Sequence, residues 1–395
     1  MSSDAVIVAG ARTAVGTAFK GSLVNVDAME LATATVAEAV RRSGLDGELF
    51  DDVVLGESLY GGGAIARYAA IEAGLVNAPG IAHNRHCASG LAAVQTAASS
   101  IRAGMDRVVV AGGVQSSSTA PRSAWRVPGT QDWEEDWLAP SHRETADAPI
   151  RDMTITVGWN AAKKAGISRE EMDAWALRSH QRAIAGIDAG SFADEIFALP
   201  VTRPDGTTGT FEVDEHPRRG STLEKLASLK PLHPEIEGFS ITAGNSAGVN
   251  DGAAAVVVAD RAVADRQGLE ALAVVRAWAS VGVPPAETGL GPIAVIPKVL
   301  DRAGLSIADV DLWEINEAFA SVPIAAVKAL GLDDGIVNVL GSGCSIGHPV
   351  ATTGTRMVLT LIHELRRRGG GVAVAAMCAG GGMASAVVLD VPAPA

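Results

Sequence analysis

The sequence RSGLDGELFDDVVLGE at residues 42–57 returns in altered form as RAGLSIADVDLWEINE at residues 302–317. The two stretches align without a gap at an offset of 260 residues, which places Glu57 on Glu317. Two unrelated segments rich in Ala and Val would match in their apolar positions, but a gapless match of glycine and charged positions is harder to obtain by chance. The sequence therefore predicts an internal duplication.

The elements around the two copies also correspond. In each half an apolar strand and a helical pattern precede the copy, and a helix, a strand and a glycine run follow it. The predicted elements are, in the first half, a strand at 5–8, a helix at 28–41, a helix after Cys87 and a strand at 107–110, and, in the second half, a strand at 273–275, a helix at 293–301, a helix from His348-Pro349 and a strand at 372–375. This alternation predicts an α/β fold with helices on the faces of a parallel-type sheet.

Residues 118–240 break the rhythm of the two halves. Their first part is rich in Pro and Trp among charged residues, and a capping-box pattern at Ser168-Arg-Glu-Glu171 then predicts a helix over 168–185. Because long irregular excursions are more often functional than filler, we expect this region to form a lid. The predicted division is a first half at 1–117 plus 241–265, an inserted loop or lid region at 118–240, and a second half at 266–395.

Composition limits the class of protein. A chain of 395 residues is too long for one ordinary core, and 48% hydrophobic residues exclude a disordered chain. A net charge of −13 disfavours nucleic-acid and membrane-surface binding, so an anionic ligand would need a local cationic patch. The start of the sequence lacks a secretory pattern, and no window offers about 18 uninterrupted apolar residues. We therefore expect a cytoplasmic protein.

The three cysteines are Cys87, Cys344 and Cys378. An odd and sparse count does not form a disulfide framework, and the spacing is too wide for a Cys-rich zinc site. Free thiols in a reducing compartment are usually buried as small hydrophobes. Each cysteine therefore needs its own argument before a function is assigned to it.

Cys87 and His348 are the first two candidates. Cys87 lies in HCASG at 86–90, where a strand is followed by a helix, and the positive end of a helix favours a thiolate. His348 lies in GHP at 347–349, within one residue of the 260-residue offset from Cys87. Pseudo-twofold symmetry would bring both corners together as a thiolate–imidazole pair. The alternatives are a buried cysteine in a helix cap and a structural histidine.

Two further candidates follow strand ends. Cys378 precedes three glycines at 380–382, whose N–H groups could form an oxyanion hole, and its thiol could transfer a proton. A tight turn with a buried thiol is the alternative. Asn316 could hold a water or polarise a carbonyl, and Glu317 could orient His348 or Asn316; the alternative for Asn316 is a helix cap.

Together these motifs resemble the thiolase family. The quoted segments are NRHCASG at 84–90, NEAFA at 316–320, GHP at 347–349 and CAGGGM at 378–383, with VIVAGART at 6–13, TAGN at 242–245 and NDGAA at 250–254. The resemblance covers essentially the whole chain. It implies a thiolase-like fold, with two duplicated βαβαβ-type halves in a five-layered α-β-α-β-α core and an inserted loop region.

The resemblance also implies catalytic roles. Cys87 takes the acyl group, His348 deprotonates Cys87, and Cys378 moves the proton of the α-carbon. Asn316 holds a water that forms one oxyanion hole with His348, and the backbone N–H groups of Cys87 and Gly380 form the other. Two holes suit the chemistry because the enolate and the tetrahedral oxyanion arise at different oxygens.

Coenzyme A is the implied substrate. The segment around Arg218 resembles the CoA-contacting segment of the family, although a solvated charged loop is the alternative. The implied substrate-binding residues are Arg218, Ser246, Ala247, Ala318, Phe319 and Met153.

Departures from the family pattern leave the acyl group open. Ala247 replaces a serine that lies beside the pantetheine, and Thr288 replaces a bulky apolar residue common near the acetyl group. After Met153 the pattern slips by about one residue, so Trp159 stands where Glu is usual. Ala351 stands where Gly is common. None of these changes removes a catalytic group.

The expected reaction is CoA-dependent cleavage of 3-oxoacyl-CoA to acetyl-CoA and a shortened acyl-CoA, or the Claisen condensation of two acetyl-CoA. The alternatives are a condensing enzyme that acts on carrier-protein thioesters and a thiolase-like protein that binds acyl-CoA or lipid without turnover. We expect no metal or redox cofactor, no nucleic-acid or membrane partner, and a homodimer or homotetramer.

Overall fold

The computed structural model describes residues 4–58, 60 and 64–394. The strands are β1 Ala5–Arg12, β2 Gly16–Thr17, β3 Asp52–Gly56, β4 Gly80–His83, β5 Val108–Gln115, β6 Trp125–Arg126, β7 Trp133–Glu134, β8 Leu199–Thr202, β9 Thr208–Phe211, β10 Asn250–Asp260, β11 Ala273–Gly282, β12 Leu312–Ile315, β13 Gly371–Ala379 and β14 Met383–Val391. The α-helices are α1 Ala28–Ser43, α2 Ala64–Glu72, α3 Ser89–Arg102, α4 Asn160–Ala165, α5 Arg169–Asp188, α6 Leu223–Ala227, α7 Arg261–Arg266, α8 Gly291–Ala303, α9 Ser321–Leu330 and α10 Thr353–Arg367. A π-helix spans Thr154–Trp159, and 3₁₀ turns span Gly47–Leu49, Pro285–Leu290, Ile307–Asp309 and Asp334–Ile336.

The two halves repeat one pattern of strand pairing. In the first half β1 pairs antiparallel with β10, β10 antiparallel with β5, and β5 parallel with β3. In the second half β11, β14, β13 and β12 follow each other with the same directions. A register irregularity occurs between Ile7 and Ala9 in β1 and between Val275 and Ala277 in β11, at matching points of the two strands. The duplication expected from the sequence is present in the fold.

The sheet itself is mixed rather than parallel. Strands β10 and β14 run antiparallel to both of their neighbours, and only the outer strands of each half are parallel to each other. In the second half the short loop at 380–382 joins β13 directly to β14, whereas a parallel pairing would require a longer crossover. The expectation of a parallel-type sheet is therefore wrong for the central strands. The halves join where β1 pairs with β11 through Val6–Val274 and Ile7–Ala273.

Alternate side chains of each strand point to opposite faces of the sheet, and both faces are covered by helices, which gives five layers. In β1, Val6 and Val8 face a core with helices α1 and α2, whereas Ala5 and Ile7 face a core with α3 and α10. In the second half the outer face of the sheet packs on α8 and α9, and its inner face shares α3 and α10. The order is helix, sheet, paired central helices, sheet, helix, which confirms the five-layered core.

The inserted region carries the helix predicted from its capping box. Helix α5 is capped by Ser168, whose side chain accepts from the N–H of Glu171 while the Glu171 carboxylate accepts from the N–H of Ser168. The predicted segment limits at 117, 240 and 265 stay a prediction. Within the described part of the chain, no helix is both long and apolar enough to cross a membrane.

Candidate active site

The first turns of the two central helices touch each other. A methyl group added to Gly90 of α3 would meet the carbonyl oxygen of Ala351 at 2.6 Å, and one added to Gly354 of α10 would overlap the backbone of Leu91. Each glycine is the second residue of its helix. Equivalent positions of the two halves therefore meet, and glycine permits the backbones to approach this closely.

Cys87 and His348 do not occupy equivalent positions in the two halves, although the sequence predicted that they would; they differ by about one helical turn. Cys87 lies two residues before α3, and the residue two before α10 is Ala351. Pro349 begins a turn ahead of the helix, since its carbonyl accepts from the N–H of Thr352, and the helix starts only at Thr353. The offset of 260 residues at the strands has become 264 at the helix starts, because the loop before α10 is longer.

A tight turn presents Cys87. The preceding residue, His86, has a left-handed backbone with φ of 46°, and its N–H donates to Oδ1 of Asn84 at 2.7 Å. The Ser89 hydroxyl donates to the His86 carbonyl at 2.7 Å and accepts from the N–H of Arg85 at 2.8 Å. Side-chain hydrogen bonds thus hold a conformation that few residues adopt freely.

Burial governs the protonation of Cys87. It raises the pKa of the thiol, while the N–H groups of Gly380 and of Cys87 itself lower it by a smaller amount. The position before α3 does not by itself produce the thiolate that the sequence led us to expect. A base is therefore needed for the thiol to act as a nucleophile.

His348 has the properties of such a base. Its Nδ1 lies 2.7 Å from Oγ1 of Thr353, and that hydroxyl donates its hydrogen to the carbonyl of Pro349 at 2.9 Å. We therefore assign the Thr353 hydroxyl as the acceptor of Nδ1–H, which leaves Nε2 with a free lone pair. Burial, and secondarily the charge of Arg356, lowers the pKa of His348 to about 3, so the imidazole is neutral.

The corner that holds His348 depends on Asn250. Oδ1 of Asn250 accepts from the N–H of His348 at 2.9 Å, and its amide donates to the Gly16 carbonyl at 3.0 Å. Gly347 has φ of 109°, and a methyl group there would lie 2.7 Å from Cγ of Asn250. Glycine is thus required both by the backbone conformation and by the space.

Asn316 lies beside His348 at the end of β12. Its N–H donates to the carbonyl of Ala376 on β13 at 3.0 Å, and its side-chain nitrogen lies 3.5 Å from Nδ1 of His348, where it adds no hydrogen bond because Nδ1–H is donated to Thr353. Oδ1 of Asn316 and Nε2 of His348 are both buried without a hydrogen-bond partner among the described residues. Buried polar atoms of this kind are costly, and they are suited to bind polar atoms of a substrate. The hydrogen bond that we expected between Cys87 and His348 is also not formed among these residues.

Cys378 and the glycines after it complete the group. Burial raises the pKa of the Cys378 thiol, and the nearby sulfur of Cys87 raises it further. The loop is fixed by Thr288, whose hydroxyl accepts from the N–H of Gly382 at 3.0 Å. Residue Ser141 of the inserted region lies against Gly381, where a methyl group would meet its Cβ at 2.7 Å. The insertion therefore reaches the glycine loop after Cys378, whereas its role as a lid stays a prediction.

Glu317 does not have either of the roles suggested for it. Its carboxylate accepts hydrogen bonds from the indole of Trp175 at 2.8 Å, the hydroxyl of Ser179 at 2.6 Å, the amide of Asn338 at 2.9 Å and the N–H of Cys344 at 3.2 Å. A carboxylate with four such donors is satisfied. It joins the insertion to the second half, and it orients neither His348 nor Asn316.

Comparison with known proteins identifies the family. A sequence model of the thiolase N-terminal domain matches residues 5–262, and one of the thiolase C-terminal domain matches residues 269–391. The chain belongs to the thiolase family. The resemblance inferred from the motifs is thereby confirmed.

Relatives of this thiolase match it from end to end. It is 42% identical to the acetyl-CoA acetyltransferase of Pseudomonas aeruginosa, over 98% of this chain and 99% of that protein. It is 39% identical to the 3-ketoacyl-CoA thiolase of Bacillus subtilis, over 98% of this chain and 99% of that protein. Its fold matches crystal structures of the acetyl-CoA acetyltransferase of Bacillus anthracis, with a TM-score of 0.89 and 38% identity, and of human mitochondrial 3-ketoacyl-CoA thiolase, with 0.90 and 35%; each comparison covers 99% of both chains.

The residues that we expected to bind CoA in this thiolase form a connected surface. Ser246 and Phe319 pair through an isolated antiparallel β-bridge. The N–H of Ala247 donates to the carbonyl of Ala318 at 3.0 Å. Phe319 packs against Gly158 of the π-helix, which begins directly after Met153. Five of the six expected positions, all except Arg218, therefore lie in neighbouring segments. Their contact with CoA stays a prediction.

Arg218, which we expected to meet CoA, lies on an exposed loop of this thiolase. Its side chain is exposed and forms no ion pair within the described part of the chain, whereas the neighbouring Arg219 pairs with Asp188 at 2.6 Å. The N–H of Arg218 donates to Nδ1 of His180 at 3.2 Å, which ties this loop to α5. Two residues before Arg218, His216 packs against Gly248, so the loop also borders the Ser246–Gly248 segment.

The sequence analysis missed several residues of the site. Asn250 was seen only as part of the NDGAA motif, and the sequence motifs gave Thr353 no role, although both residues position the histidine. The one-residue slip after Met153 is a π-helix, in which the N–H of Asn160 reaches the carbonyl of Ile155 five residues earlier. A helix that gains one residue forms such a turn, and the slip was its only sign in the sequence.

Proposed function

We propose that this thiolase catalyses the CoA-dependent cleavage of 3-oxoacyl-CoA to acetyl-CoA and a shortened acyl-CoA, or the reverse Claisen condensation, through an acyl group on Cys87. The observation that carries the proposal is the hydrogen bonding of His348, whose Nδ1 is bound to Thr353 while its buried Nε2 has no partner among the described residues. Its Nδ1–H is committed to Thr353, so that a neutral imidazole offers the lone pair of Nε2 inside the site. A partly buried thiol with a raised pKa needs such a base.

The first half of the reaction transfers an acyl group to Cys87. His348 takes the thiol proton at Nε2 while the sulfur attacks the carbonyl carbon of the thioester. The developing oxyanion is stabilised by the N–H groups of Cys87 and Gly380, the two donors that already act on the Cys87 sulfur. In condensation the CoA thiolate leaves and takes the proton of Cys378, which becomes a thiolate, while Nε2 of His348 keeps the proton that it took from Cys87.

The second half of the reaction uses Cys378. In condensation the Cys378 thiolate removes a proton from the α-carbon of the second acyl-CoA. The enolate carbon then attacks the acyl carbonyl, the bond from that carbon to the Cys87 sulfur breaks, and Nε2–H of His348 returns the proton to the sulfur. Thiolysis runs the same steps in reverse, and Cys378 then returns the α-carbon proton. Burial makes its thiolate hard to form but strongly basic once formed, which suits removal of a carbon-bound proton. The enolate oxygen is bound by His348 and by a water held at Asn316, where two polar atoms are unpartnered.

The test is acylation of the nucleophile. Incubation with acetyl-CoA is expected to release CoA and to leave one acetyl group on Cys87, measured by mass spectrometry of peptides. The variant Cys87→Ser should abolish both signals. Acetylation at Cys344 or Cys378 instead of Cys87 would overturn the assignment, and tight binding without acylation would indicate a protein that does not turn over.

The other two functions considered are not proposed. A condensing enzyme for carrier-protein thioesters usually pairs its cysteine with two histidines or with His and Asn, whereas here a second thiol, Cys378, lies beside Cys87. A binding protein without turnover would not need a neutral base whose Nδ1–H is held by a dedicated hydroxyl, which leaves Nε2 free.

The finer properties belong to the same proposal. We assign CoA as the substrate without a metal or redox cofactor, a place in the cytoplasm, and a homodimer or homotetramer. Within the described residues, no group of three or more His, Cys, Asp or Glu side chains is arranged to hold a metal ion. Activity that survives exhaustive treatment with a chelator and a sedimentation measurement of mass would test the cofactor and the assembly.

A further inference from the structure

The glycine loop after Cys378 is bordered by polar side chains. A methyl group on Gly380 would lie 3.5 Å from Cγ of His86 and 3.8 Å from its Nδ1, so the imidazole lies directly on this residue. Ser141 lies against Gly381, and the Thr288 hydroxyl binds the N–H of Gly382. Each of the three glycines thus meets a hydrogen-bonding side chain.

His86 differs from its neighbour His142 in one respect. Both ring nitrogens of His142 are engaged, Nδ1 with the hydroxyl of Ser141 at 3.0 Å and Nε2 with the carbonyl of Ala148 at 2.9 Å. The ring of His86 makes no hydrogen bond within the described residues, although it is partly buried. Burial lowers the pKa of His86, and the proximity of His142 lowers it further, so a neutral ring with one donor and one acceptor faces the site.

The position of His86 relates it to the acyl group. In the proposed function, which this inference assumes, the acyl carbonyl oxygen lies between the N–H groups of Cys87 and Gly380. His86 precedes one of these residues and packs on the other. The carbonyl end of an acyl group on Cys87 is therefore placed next to this imidazole.

We propose that His86 is a specificity-determining residue, and that the enzyme prefers acyl groups whose chain carries an oxygen able to hydrogen-bond to this imidazole. The chemical class is a 3-oxoacyl-CoA with a hydroxyl, carbonyl or carboxylate beyond the reacting carbons. An unsubstituted alkyl chain would displace water from the ring and leave its nitrogens unpaired. Sites built for a hydrogen bond reject analogues that lack it far more strongly than apolar pockets reject a change in length.

A role of His86 in the turn alone is the competing explanation. Its φ of 46° suits His and Asn better than most other residues, so His86 could be present only for its backbone conformation. The variant His86→Asn separates the two explanations. It keeps a residue that adopts the left-handed conformation, but it is too short to place a donor or acceptor where the imidazole ring lies.

The experiment compares six-carbon and eight-carbon 3-oxoacyl-CoA substrates that end in a carboxylate, a hydroxyl or a methyl group. The wild-type enzyme should show a kcat/KM at least about tenfold higher for an oxygen-bearing substrate than for the alkyl substrate of equal length. His86→Asn should lower this ratio at least about fivefold, while acetyl-CoA still acetylates Cys87. A matched control is His363→Asn, which removes an imidazole from the far part of α10 and should leave the ratio unchanged.

The outcomes distinguish the inference from the proposed function. A preference for the carboxylate substrate alone or for the hydroxyl substrate alone supports the inference and identifies the group that the imidazole binds. An unchanged ratio in His86→Asn, or a wild-type preference for the alkyl substrates, overturns the inference even if Cys87 is acylated normally. Failure of every acyl-CoA to acylate Cys87 would instead overturn the proposed function on which it rests.

Discussion

Replacing Thr353 by valine removes the hydroxyl that holds His348 and is expected to slow the acylation of Cys87. Oγ1 of Thr353 accepts from Nδ1–H of His348 at 2.7 Å and donates to the carbonyl of Pro349 at 2.9 Å. Valine has nearly the same shape, so the space around the imidazole stays filled. What changes is the hydrogen bonding that fixes the tautomer.

The magnitude follows from the donor that loses its partner. A buried donor left without a partner costs about 1–3 kcal/mol. If the imidazole avoids this cost by moving its proton to Nε2, it loses the lone pair that accepts the proton of Cys87. If it keeps the proton on Nδ1 and rotates, it loses its alignment. Either change corresponds to a decrease of about 5- to 150-fold in the acylation rate, at 1.4 kcal/mol for each factor of ten.

The assay is a single-turnover measurement of CoA release and acetyl transfer from acetyl-CoA, followed by mass spectrometry of the Cys87 peptide. Thr353→Ser is the matched control, because it keeps the hydroxyl and removes only a methyl group, and its rate should be within a few-fold of wild type. Urea unfolding of both variants separates a loss of stability from a loss of rate. Acylation of Thr353→Val at the wild-type rate would refute the assignment of Nε2 as the base.

Three other perturbations have defined outcomes. Cys378→Ala should still form the acyl-enzyme, since that step precedes proton removal from the second substrate, but steady-state condensation and thiolysis should fall at least about 10²-fold; normal turnover would make this thiol structural. Arg218→Ala should raise the KM for CoA several-fold and weaken its dependence on salt, whereas Arg219→Ala, which breaks an existing ion pair, should not; equal effects would contradict a CoA contact. His180 and His216 have pKa values lowered to about 4, in both cases mainly by burial, so the unfolded chain binds protons more strongly below about pH 6.5. The free energy of unfolding should then fall by up to about 2 kcal/mol for each histidine between pH 7 and pH 5, and urea titrations that give equal values at both pH values would contradict this.

The sequence predicted best what depends on local rules. The capping box at Ser168 and Glu171 marks the start of α5 because both hydrogen bonds form within one turn of the chain. The glycines at 44 and 304 end α1 and α8 in the same left-handed conformation, which is why the two copies align so well there. Whether two paired strands run parallel or antiparallel was not predictable in this way, because an apolar run such as β10 is compatible with either kind of partner.

The details of the site depend on tertiary structure. A repeat offset counts residues, so it could not reveal that the loop before α10 is longer and that Ala351, rather than His348, is the counterpart of Cys87. Nor does the sequence give burial, which outweighs the helix end at Cys87 and raises the pKa of its thiol. The residue types were recognisable from motifs, whereas their protonation states needed the packing around them.

The π-helix at Thr154–Trp159 affects how this protein can be compared with its relatives. Across this turn the backbone accommodates one more residue than the family pattern contains, and the regular helix α4 follows it. Column-by-column alignment must open a gap somewhere inside the turn, but no single residue there is the added one. Trp159 is therefore not a substitution of the family glutamate in any strict sense. Homology is defined at the two ends of this segment, and between them only the path of the backbone can be matched.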